Sequence, residues 1–192
     1  NISIFRVYKK EAIHADDLAL IVNYKWNSTN SSYSLSLAAS TKEQPYLVLY
    51  GDVFFKRYLL RSILDYAEER SSPDVILVCV KEDYIDAGYS LKLNKKLDVF
   101  GDDSELSVVE VCTGRETGKD ECVVYFSGLL LIHNYSAVKE LLSGEDAERL
   151  HTSDFMRRAL DTGLTLAVIM SSREAIVDIN SLNDLMKAGE IL

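Results

Sequence analysis

Two carboxylates stand where the chain leaves a strand and turns. Asp52 follows the apolar run "PYLVLYG", and Asp178 follows "EAIV" and precedes a segment with helical spacing. Acidic side chains meeting at one edge of a sheet make a hard oxygen site suited to Mg²⁺, which takes few carboxylates and fills its other positions with water and substrate phosphate. Such an ion offsets the charge that develops during phosphoryl or nucleotidyl transfer. Asp is also a common turn or N-cap residue, so spacing alone leaves both readings open. No Ser-His-Asp or Cys-His set stands out. His14, His133 and His151 lie far apart without ligand spacing and read as surface or core histidines.

The elements that must position these carboxylates are legible as hydrophobic patterns. Residues 45–55, "PYLVLYGDVFF", read as a strand buried on both faces, since such strands are near-continuously apolar rather than alternating. On this reading the rest of the chain is organised around it, and Asp52 stands in the crevice beyond its carboxyl end, where open α/β sheets bind ligands. Residues 55–70 then show helical spacing, with Tyr58, Leu59, Ile63 and Tyr66 on one face. Thr29-Asn30-Ser31 is suited to cap a helix over 32–40, and Ser181 to cap the final helix. A helix over 152–163 starts at Thr152 or Ser153 and closes on Gly163. Further strands are expected at 2–8, 18–23, 74–80, 164–170 and 174–179, and one at 122–134 broken at Ser127-Gly128. Residues 81–122 alternate in short pieces and predict an antiparallel excursion. The sum is an α/β domain: a three-layer, Rossmann-like, mixed and mostly parallel sheet with helices on both faces and a small antiparallel insertion.

The 192 residues are 47% hydrophobic and 27% charged, which is ordinary for a globular domain. A net charge of −9 argues against nucleic acid or an anionic membrane surface as partner, and implies that any bound phosphate comes with a metal. Cys79, Cys112 and Cys122 are odd in number and lack metal-ligand spacing, as expected of free thiols in a reducing cytoplasm. No apolar run approaches the ~18 residues of a membrane span.

Four blocks carry a resemblance. "TNSSYSLSLAAS", "LVLYGDVFF", "VVYFSGLLLI" and "VDINSLNDLMKAGEIL" resemble, in order and interval, the sugar-1-phosphate and phosphocholine nucleotidyltransferase family. There a "TNNxxSLxxA" helix leads to a strand ending in Gly-Asp, then a strand with a Gly-Ile-like break, then a "DIDTPEDLxxA" segment. Asn30, Ser34 and Leu35 fall on the first block, Gly51 and Asp52 on the second, Gly128 on the third, and Asp178, Asp184 and Leu185 on the fourth. "GYSLKLN" is similar to the "MKV" strand of the phosphocholine branch, which implies a place for Lys92 near the substrate phosphate.

The resemblance implies that Asp52 and Asp178 hold a catalytic Mg²⁺ and that Asn30, Ser34 and Gly51 approach the nucleotide. Gly128 and Lys92 would approach the acceptor. The substrates would be a nucleoside triphosphate, CTP favoured, and a phosphorylated small alcohol or sugar-1-phosphate, with a homo-oligomer left open. Family members open with a glycine-rich "GxGxR" loop and a following Lys. "NISIFRVYKKEAI" is instead similar to the family's second strand, so the expectation is a single domain over 1–192 without that first strand and phosphate loop. Ser31 replaces the second Asn of the helix block, and Arg115 or Lys119 would have to replace a further family Lys. Two alternatives follow: a non-catalytic regulatory or scaffolding relative, or a metal-dependent glycosyltransferase, whose acidic motif Gly101-Asp102-Asp103 is similar to. Trp26 is a candidate to cover a ligand.

Overall fold

In the computed structural model the described residues are 3–6, 19–25, 27–69, 73–81, 89–97, 106–113 and 122–191. His14, Trp26, Gly101-Asp102-Asp103, Arg115 and Lys119 lie outside them. In chain order the elements begin β1 (Ser3–Arg6), β2 (Ala19–Val22), α1 (Ser31–Thr41), β3 (Tyr46–Leu49), β4 (Val53–Phe55) and α2 (Tyr58–Glu69). The middle comprises β5 (Val75–Val80), β6 (Tyr89–Leu93), β7 (Val108–Thr113) and β8 (Val123–Ile132). Then come α3 (Tyr135–Leu141), a 3-10 turn (Glu145–Arg149), α4 (Thr152–Asp161), β9 (Leu166–Ser171), β10 (Ile176–Asp178) and α5 (Leu182–Ile191).

β5 and β8 form the buried centre, and every residue of both is buried. Successive side chains of a strand point to opposite faces, so an all-apolar strand serves two cores at once. Val75, Leu77 and Cys79 join one core with Ala38 and Ala39 of α1, Val138 of α3, and Phe155, Met156 and Ala159 of α4. Ile76, Val78 and Val80 join the other with Leu59 and Ile63 of α2. The result is three layers, helices on both faces of one sheet. On α2 the buried pair lies on one side while Arg61 and Asp65 pair at 3.5 Å on the exposed side, which accounts for its amphipathic sequence.

The sheet is mixed. β8 runs antiparallel to β3, β5 and β6, β9 is parallel to β5, and β7 is antiparallel to β6. Most of these strands, β3, β5, β6 and β9, thus share a direction, and β8 is inserted against it. β6 and β7 form the expected antiparallel excursion. β1 and β2 pair in parallel as a separate two-stranded sheet.

The segment 45–55 corrects the sequence expectation. It is two short strands, β3 and β4, with a turn between them closed by Val53 N–H donating to the Tyr50 carbonyl at 3.2 Å. Burial falls along β3 until Leu49 is 46% exposed, so the organising centre is β5 with β8. The apolar run is continuous because Val48 and Tyr50 pack against one core and Leu47, Val53 and Phe55 against the other, each only partly covered.

Candidate functional site

A kink in β8 opens the site. β8 spends four residue steps, 130 to 126, on the two steps of β5 from 77 to 79. The surplus is taken up at Ser127-Gly128, where Gly128 has φ +86° and a Cβ would lie 2.7 Å from Val53 Cγ2. Only glycine meets both demands at low cost. Ser127 Oγ donates to the Val78 carbonyl at 2.8 Å, and Tyr50 N–H donates to the Gly128 carbonyl at 3.1 Å, fixing the kink to both neighbours. On its other edge β8 pairs with β6 at Val123 and Val124 and with β3 at 129–132. The change of partner leaves a gap, and around it lies a cleft of about 630 Å³ whose floor includes Tyr50, Tyr89, Phe126, Ser127 and Gly128. Tyr50 and Phe126 meet edge to face, centroids 5.9 Å apart.

The two carboxylates come to this cleft from different strands. Asp52 lies in the turn before β4, and Asp178 ends β10, which pairs antiparallel with β4 so that Asp178 stands across from Val53. Ile179 N–H donates to the Asp52 carbonyl at 2.8 Å, tying the two turns together. Burial pushes the Asp178 carboxyl above its usual range, and the negative charges of Asp52 and Asp184 push it further, against a 2.8 Å hydrogen bond from Asn180 Nδ2. Two mutually repelling carboxylates open to one cleft are hard oxygen donors of a kind that fits a divalent cation. Among the described residues no group of three or more His, Cys, Asp or Glu side chains comes together, so the fit rests on this pair.

Two helix starts form the facing wall. Ser31 begins α1, Thr152 begins α4, and both line the cleft together with His151 and Ser153. Ser31 Oγ and Thr152 Oγ1 are hydrogen-bonded at 2.8 Å, and the Tyr50 hydroxyl reaches the same Thr152 oxygen. Burial pushes the Tyr50 phenol above its usual pKa. Among the described residues lining the cleft there is no lysine or arginine.

The structure brings Asp52, Asp178 and Gly128 to the cleft, but the other residues suggested by sequence are not among those lining it. Lys92 stands opposite Glu110 on the β6–β7 ladder, three residues from cleft-lining Tyr89 and hence on the other face of β6. Ser34 Oγ accepts from Asn23 Nδ2 at 3.3 Å. Asn30 caps α1 by position, but its amide is directed to the segment before α4. Gly51 is exposed in the turn beside Asp52, and a Cβ there would meet nothing within 4 Å. Sequence reasoning missed Tyr89, His151, Thr152, Ser153, Ser31 and Asn180 as cleft residues. Asn180, two positions after Asp178, carried a local signal as an Asx residue in a turn. The rest reach the cleft only through packing between elements distant in sequence.

No protein-family model and no curated protein matches the sequence. Solved structures do match. The inositol-1-phosphate CTP transferase from T. maritima superposes with a TM-score of 0.64 at 19% identity, over 90% of this chain and 66% of that one. This is the nucleotidyltransferase fold. The CTP:phosphocholine cytidylyltransferase from Streptococcus pneumoniae gives 0.54 at 19% identity, over 91% and 68%. The CMP:2-keto-3-deoxy-manno-octonic acid synthetase complexed with CTP gives 0.59 at 14% identity, over 91% and 73%. The chain thus spans about two thirds of the first of these nucleotidyltransferases, and none of its described helices is long and apolar enough to cross a membrane.

Proposed function

We propose that this chain carries out Mg²⁺-dependent nucleotidyl transfer, moving a nucleoside monophosphate from a triphosphate, CTP favoured, to a phosphorylated small alcohol or sugar-1-phosphate. The observation that carries this reading is the convergence of Asp52 and Asp178 on one cleft in a nucleotidyltransferase fold. An acceptor phosphate oxygen attacks the α-phosphorus in line, the α–β bridging bond breaks, and pyrophosphate leaves. No protein nucleophile is required. Asp52 and Asp178 are the residues that would hold Mg²⁺, and the bound ion would supply charge neutralisation at the reacting phosphates. Tyr50, Tyr89 and Phe126 supply the aromatic part of the cleft floor. Gly51 leaves the backbone beside Asp52 bare for close approach of the nucleotide.

Isothermal titration of the full chain with CTP, UTP, GTP and ATP in the presence of Mg²⁺, followed by a pyrophosphate-release assay with candidate acceptors, tests the proposal. Binding of none of the four refutes it. Release of a nucleoside diphosphate instead of pyrophosphate would assign the glycosyltransferase alternative. Asp52→Asn and Asp178→Asn are each expected to lower turnover by about 100-fold or more. Asp178→Asn should leave the melting temperature equal or higher, because a carboxyl whose pKa is raised on folding is one whose charge the fold disfavours. Gly51→Ala should be neutral to stability, so any loss of nucleotide affinity in it reports ligand contact.

A further inference from the structure

Asp178 ends β10, and the chain reaches α5 through Ile179, Asn180 and Ser181. Hydrogen bonds fix both ends of this link. Ile179 N–H donates to the Asp52 carbonyl at 2.8 Å, while Ser181 Oγ donates to Asp184 Oδ2 at 2.7 Å and accepts from Asp184 N–H at 3.3 Å, as an N-cap does. Asn180 sits between them, exposed, and its amide turns back on Asp178, with Nδ2 donating to Oδ2 at 2.8 Å. An ionised carboxylate only accepts, so the amide nitrogen is the end that faces it. Asn180 and Asp178 both line the cleft.

The fold gains little from this bond, because water is at hand to replace an exposed amide donor. What the bond restrains is orientation. The last torsion of an Asp side chain is broad, and the like charge of Asp52 repels the Asp178 carboxylate. A carboxylate is planar, so a donor on Oδ2 also sets where Oδ1 points. With no third His, Cys, Asp or Glu grouped with these two among the described residues, the pair has little redundancy. We infer that Asn180 is a positioning residue that holds the Asp178 carboxylate in the orientation in which it meets the divalent cation. The cation part of this inference rests on the nucleotidyl-transfer reading, whereas the hold on the carboxylate does not.

The hold is read in the metal-free chain from the three-bond ¹⁵N–¹³Cγ and ¹³C′–¹³Cγ NMR couplings of Asp178, which report its first side-chain torsion. The wild-type values should be those of a single rotamer, and Asn180→Ala should average them; a single rotamer retained in the variant overturns the inference without reference to metal or activity. Asn180→Ala should lower the melting temperature by less than about 4 °C, and a larger fall would make Asn180 a structural residue instead. With Mn²⁺ alone as probe, the variant should bind about tenfold more weakly than the wild-type chain, as loss of a group that orients a ligating carboxylate does. An unchanged Kd, or a wild-type chain that takes up no Mn²⁺, overturns the role toward the cation. In the pyrophosphate-release assay the Mg²⁺ concentration for half-maximal rate should rise by a similar factor, while the acceptor KM stays within about twofold. Failure of the wild-type chain to release pyrophosphate with any acceptor would instead refute the nucleotidyl-transfer reading and leave the coupling and Mn²⁺ results standing.

Discussion

β5 and the β3–turn–β4 segment have nearly the same sequence character, and the fold uses them for opposite purposes. "VILVCV" is buried at every residue, each side chain no more than 1% exposed, while "YLVL" goes from a buried Tyr46 to a Leu49 that is 46% exposed. Hydrophobicity alone does not distinguish a strand hemmed in by two neighbours from one that runs out to a cleft. The distinction lies in pairing: β5 has β8 on one edge and β9 on the other, whereas β3 pairs with β8 over four residues and then turns. The scaffold is where pairing continues, and the site is where it stops.

Substitutions in the two regions should therefore separate. Leu77→Ala, in the fully buried strand, should cost about 2–5 kcal/mol in chemical denaturation, as large-to-small core changes do. Gly128→Ala should follow, with about 1–3 kcal/mol for crowding against Val53 and backbone strain in addition. A cost below that of an ordinary surface change would mean the kink relaxes freely.

Asp74 sharpens the contrast from the far end of β5. Burial alone would raise its carboxyl pKa, but hydrogen bonds from Thr165 N–H, Asn134 Nδ2 and Thr165 Oγ1 outweigh that and hold it below the usual carboxylate range. A depressed carboxyl stabilises the fold above its unfolded pKa, and the contribution is lost as pH falls through the folded value. Asp74→Asn should lose about 1–2 kcal/mol at neutral pH and flatten the acid limb of a stability-versus-pH curve. The smallest effect is expected for Leu49→Ala, under about 1 kcal/mol. A loss as large as that of Leu77→Ala would show that Leu49 is covered in solution.

The layered fold was legible because its signals are local. Strands serving two cores are apolar throughout, α2 shows its buried face as a periodic stripe, and Gly163 at φ +83° ends α4. Asp52 and Asp178 were legible because each stands where a strand gives way to a turn. The rest of the cleft was not, because Tyr89, His151 and Thr152 owe their places to which strand β8 abandons and to the bolting of α1 onto α4. Lys92 shows the limit of motif transfer: its strand was recognised, but side-chain parity turned it away from Tyr89.

The bend at Ser127-Gly128 has a consequence for how this cleft can be lost. The cavity is a seam left open where a zipper changes its tracks, and no side chain had to be carved away to create it. Trimming the walls would widen it without removing it, whereas excising Ser127 and Gly128 would let β8 run straight, draw β3 and β6 into competition for one edge, and seal the opening.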